Sequence, residues 1–101
     1  GAVKPLHDVR VDVKRRELVG NGKTIRLTPA GTKVVEALLR ASPGIVTRDA
    51  LYDLLYLESD RSPNKKILDT LVWRARRALR RVGVRIETHW GVGWTAVQTH
   101  D

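Results

Sequence analysis

Nine of the residues between 61 and 85 are Lys or Arg, and the only acid among them is Asp69. Between these charges Leu68, Val72, Ala75 and Leu79 recur at three- and four-residue intervals. Successive helical residues turn by about 100°, so that spacing puts the four on one line of an α-helix. The opposite side then carries Lys66, Thr70, Trp73, Arg74, Arg77 and Arg81, flanked by Lys65, Asp69, Arg76 and Arg80. A helix divided in this way presses its apolar stripe on a core and leaves its cationic side to water or to an anion. The net charge of the 101-residue chain is +8, and residues 61 to 85 alone account for it. The ten bases and ten acids elsewhere cancel. A charge run of this kind is usually a solvated face. Trp73 on the same side argues for something more, because a large exposed ring favours a partner that covers it.

The rest of the chain supplies partners for that helix. His7 to Val13 alternates apolar and polar residues, as does Thr24 to Thr28, with Glu17-Leu18-Val19 between them and a turn at Gly20-Asn21-Gly22. These segments predict a small antiparallel sheet within residues 1–28. Thr28 and Pro29 then start a helix, with Val34, Val35, Leu38 and Leu39 at helical spacing and Ser42-Pro43-Gly44 as its end. Thr47 can cap a second, short helix with Leu51, Leu54 and Leu55 on its inner side. Ser62 and Pro63 repeat the capping pattern and predict the cationic helix over about 63–81, with Gly83 as its C-terminal cap. Residues 84–97 read as a hairpin turning at Gly91 and Gly93. The expected fold class is α+β: a winged helix-turn-helix with an N-terminal sheet, a three-helix core over 29–82 and a C-terminal β-hairpin wing. Residues 1–101 are expected to form one domain.

Several function classes are disfavoured. Without cysteine there is no disulfide, thiolate or Cys-ligated zinc, which suits a reducing cytosol. No apolar run approaches the ~20 residues needed to span a bilayer, and no signal peptide is visible. Gly1-Ala2 reads as a cloning remnant, so a longer natural chain is expected. His7, His89 and His100 lack the spacing of metal ligands. Ser42, Ser59 and Ser62 have turn or cap roles and no triad partner. Gly91 and Gly93 precede no helix and read as turn geometry, not a phosphate cradle. Trp94 reads as core. No enzyme, cofactor or metal is expected.

In combination these segments resemble the OmpR/PhoB-type winged-helix domain of bacterial response regulators. Leu27-Thr28-Pro29 resembles the opening of that family's first helix, and Gly44 to Arg48 its turn into the second. Lys66 to Leu79 follows its recognition-helix pattern, and Glu87 to Trp94 its wing. The resemblance implies that Lys66, Arg74 and Arg76 contact bases or phosphates. It also implies that Arg48 and Tyr56 touch the DNA backbone beside the second helix, and Thr88 a phosphate at the base of the wing. Some members meet RNA polymerase through the loop matching residues 57–62, and members commonly bind direct repeats head to tail. Three residues depart from the pattern. Trp90 stands where the wing arginine is usual, Trp73 where an arginine or small residue is usual, and Gly31 where Glu would complete a capping box.

The expected function is sequence-specific binding of double-stranded DNA by a bacterial transcription regulator in the cytoplasm. The helix would enter the major groove and the wing would lie near the minor groove. The expected DNA-facing set is Lys65, Lys66, Thr70, Trp73, Arg74, Arg76, Arg77, Arg81, Arg48, Tyr56, Thr88, His89 and Trp90. The alternative is a winged helix that docks an acidic protein such as an RNA polymerase subunit, since aromatic and Arg side chains also mark protein interfaces. Non-specific nucleic-acid or RNA binding is a weaker third option.

Overall fold

A computed structural model describes residues 8–56 and 66–98. Strands β1 (Arg10–Asp12), β2 (Glu17–Gly20) and β3 (Lys23–Arg26) form an antiparallel sheet in that order. The first strand is shorter than the alternation from 7 to 13 predicts. The Asp12 carboxylate accepts the Arg15 backbone N–H at 3.0 Å, and Arg16 takes φ 56°, so the chain turns directly after Asp12. Leu18 and Ile25 point from the sheet into the core.

Helix α1 (Pro29–Ala41) starts where Thr28 and Pro29 predict. The Thr28 hydroxyl accepts the Gly31 N–H at 3.0 Å. The capping half made by the cap residue is therefore present, and only the reciprocal half, which needs Glu or Gln at position 31, is missing. Val34, Val35 and Leu38 are fully buried, and the Ser42 N–H closes the helix on the Leu38 carbonyl at 3.0 Å.

Strand β4 (Val46–Thr47) and helix α2 (Arg48–Tyr56) follow. Thr47 caps α2 as expected, accepting the Ala50 N–H at 3.1 Å. Leu51 and Leu55 are buried, but Leu54 is 36% exposed. Leu54 and Tyr52 flank the line of Leu51 and Leu55 on opposite sides, and it is half-buried Tyr52 that packs against the core.

Helix α3 (Lys66–Arg80) is the cationic helix. The expected start at 63 falls outside the described residues. Its end comes one residue before Arg81, where the Arg81, Val82 and Gly83 N–H groups tighten onto carbonyls three residues back, and Gly83 takes φ 80°. Leu68, Leu71, Val72, Ala75 and Leu79 form its buried stripe.

Strands β5 (Val84–His89) and β6 (Gly93–Gln98) make the wing, and β4 adds to it in the order β4-β6-β5. The family resemblance places Val46 and Thr47 in the turn into the second helix. They pair instead with Trp94 and Gly93. That pairing brings β4 so close that a Cβ on Gly93 would sit 2.0 Å from the Val46 carbonyl oxygen. Only glycine fits there. The core thus sits between α1, α3 and the wing, with the first sheet closing one side.

Candidate nucleic-acid interface

The outward side of α3 is as divided as its sequence implies. Lys66, Thr70, Trp73, Arg74 and Arg77 are all exposed, and Arg81 follows just beyond the helix. Trp73 is 53% exposed, and the Arg77 guanidinium lies over its ring, 5.0 Å from the centroid. Such a stack holds both side chains at the surface in a defined arrangement. Asp69 is the one acid on this helix, and Arg48 neutralises it at 3.1 Å. Among the described residues Arg74 and Arg81 have no acidic partner. The face therefore offers uncompensated positive charge beside an aromatic ring.

Other expected contact residues are occupied within the protein. Arg48 is half-buried; besides its ion pair, its guanidinium lies 5.1 Å from the centroid of the Trp94 ring, and its backbone N–H donates to the Val92 carbonyl at 3.0 Å. Arg76 turns toward the wing and donates to the Thr88 hydroxyl at 2.7 Å and to the Ile86 carbonyl at 3.4 Å. Thr88 thus accepts from the helix. His89 is half-buried and shares a 3.1 Å hydrogen bond with the Thr95 hydroxyl. Trp94, at 3% exposure, is core as expected. Tyr56 is exposed at the end of α2, with its ring stacked on Tyr52 at 6.2 Å between centroids. Lys65 lies outside the described residues.

Two groups emerge. Lys66, Thr70, Trp73, Arg74 and Arg77 face outward from α3. Arg48, Arg76 and Thr88 fasten the wing to the helices. Sequence reasoning missed the fastening role, because it depends on partners distant in the chain: Thr88 and Ile86 for Arg76, and Val92 and Trp94 for Arg48. It also missed Val92, exposed beside Trp90 at the wing tip, whose only sequence signal is an apolar residue in a turn. A cleft of about 350 Å³ separates the two groups, bordered by Asp69, Trp73, Arg76, His89 and Trp90. Among the described residues no group of His, Asp or Glu can hold a metal ion, and no helix is long and apolar enough to cross a membrane.

Three helices with a small sheet before them and a hairpin after the third define a winged helix-turn-helix. Solved structures share that fold. The DNA-binding domain of Bacillus subtilis CssR superposes with a TM-score of 0.70 at 24% identity, covering 87% of this chain and 98% of the other. The DNA-binding domain of response regulator AdeR, solved with an intercistronic region, gives 0.71 at 18% identity, covering 96% and 100%. DrrB, a Thermotoga maritima OmpR/PhoB homologue, gives 0.69 at 24% identity over 97% of this chain and 44% of its own. A search of curated proteins by sequence gave no significant match. The family model for the C-terminal domain of transcriptional regulatory proteins matches residues 22–96. The chain belongs to that family, the OmpR/PhoB-type DNA-binding domains of transcription regulators.

Proposed function

We propose that residues 1–101 form one domain that binds double-stranded DNA sequence-specifically, with α3 in the major groove and the wing near the minor groove. The observation that carries this is the outward face of α3, where Arg74 and Arg77 stand exposed while the only acid of the helix is paired with Arg48. A helix fits the major groove, where Arg and Lys reach guanine acceptors and phosphates and Thr70 can meet a thymine methyl. The intercistronic DNA solved with AdeR, which shares the fold, supports the reading. Arg48, Arg76 and Thr88 serve it chiefly as positioning residues, and Tyr56 lies where it can reach the backbone beside α2. The proposal extends to head-to-tail pairing on direct repeats, to an RNA polymerase contact through residues 57–62, which lie outside the described residues, to action in the bacterial cytoplasm and to the absence of catalysis.

The test is selection of bound duplexes from a random pool at moderate salt, followed by titration of Arg74→Ala and Arg77→Ala. Enrichment of one motif is expected, with each variant costing about 1–3 kcal/mol of binding if it reads a base. A phosphate contact instead lowers the salt slope by about one unit. Unchanged affinity in both variants overturns the assignment of α3. Docking to an acidic protein is favoured by one observation, the exposed ring of Trp90. A response of Trp fluorescence to protein and not to DNA would select it.

A further inference from the structure

We propose that Trp90 is a wedge that enters a base step of the bound duplex, kinks it, and so makes the protein select flexible steps. The inference rests on the DNA-binding reading above and adds a specificity residue to it. Trp90 is 90% exposed and its neighbour Val92 49% exposed, so the tip of the wing is apolar while the helix beside it is cationic. The tip is also held firmly. The Val92 N–H donates to the His89 carbonyl at 2.9 Å, and the Val92 carbonyl accepts the Arg48 N–H at 3.0 Å. Gly93 follows immediately and lies against the backbone of β4. The ring is thus presented by a braced loop, and it borders the same cleft as Trp73.

What covers this ring must offer a flat apolar surface next to dense negative charge. The stacked faces of base pairs between two phosphate backbones meet both requirements, once a step is opened. Apolar side chains inserted in this way kink duplexes by about 20° or more. Pyrimidine–purine steps open most easily, whereas A-tracts are stiff, with a narrow groove that suits a guanidinium. An indole has no charge to place in that narrow groove. Its preference should therefore fall on the flexible sequence.

The experiment compares the binding of this protein to an alternating T-A duplex and to an A-tract duplex of equal length, both end-labelled for energy transfer. The wild type is expected to favour the alternating duplex by about tenfold and to shorten its end-to-end distance. Trp90→Ala should bind both duplexes alike with no shortening, at an unaltered salt slope. Trp90→Arg should reverse the preference toward the A-tract. Equal shortening by wild type and Trp90→Ala, or no shortening by the wild type while it binds, overturns the wedge and leaves DNA binding standing. Failure of the wild type to bind either duplex at low salt overturns both readings. An unchanged melting temperature in Trp90→Ala verifies that the fold is intact, and the double variant Arg74→Ala/Arg77→Ala, expected to lose both duplexes, shows that the binding measured runs through α3.

Discussion

Between Gly20 and Lys23 the chain reverses through Asn21 and Gly22, both at positive φ (51° and 70°), and the tip is polar and faces solvent. Between His89 and Gly93 it reverses through Trp90, Gly91 and Val92, and the tip is apolar yet equally exposed. The first hairpin follows the ordinary rule, with turn chemistry serving only to join two strands. The second breaks it, and spends extra structure on doing so: a third strand, an ion-paired arginine and a helix-to-strand hydrogen bond all converge on its base. The contrast separates what a turn needs in order to form from what it needs in order to act. The bracing packs Val46 and Trp94 into the core and at the same time fixes the base from which the exposed Trp90 projects.

The comparison can be broken most severely at Gly93. Gly93→Ala drives a Cβ into the Val46 carbonyl and should separate β4 from β6, costing about 3 kcal/mol and lowering Tm by on the order of 10 °C. Gly20→Ala, at the matching end of β2, meets its nearest atoms at 3.1–3.2 Å and should cost clearly less in the same thermal melt. Gly22→Ala and Gly91→Ala sharpen the contrast. Each puts a side chain at positive φ in open space, so each should cost about 1 kcal/mol of stability by chemical denaturation. Only Gly91→Ala should also weaken DNA binding. The smallest stability effect belongs to Trp90→Ala, within about 0.5 kcal/mol, because the ring touches little of its own protein. A large loss there would mean that the ring supports the fold.

Most of the helical core was legible. Thr28 with Pro29, Thr47, and the stripe Leu68, Val72, Ala75 and Leu79 act within one or two turns of their own helix, where spacing along the chain is spacing in space. The outward side of α3 followed from the same periodicity. The hidden parts were those made by distant residues. Two residues, Val46 and Thr47, are too few to show a strand pattern, and they become a strand only because β6 arrives beside them. Arg76 looks in sequence like any other cation of the run and Arg48 like a surface cation of the second helix; their partners, Thr88 and Asp69, come from other elements. Trp90 stood out as a departure from the family pattern, but its bracing did not.

The short pairing of Val46 and Thr47 with the wing has a consequence for how the protein measures its target. It joins the start of α2 to the base of the hairpin, and Arg48 at that start pairs with Asp69 of α3, so the helix and the wing that would meet a duplex are set like the jaws of a caliper locked at one opening. A locked caliper does not adjust to the object. When both jaws must touch at once, the strain goes into whichever body is softer, and an elastic double helix would then be sorted by its compliance as much as by its letters.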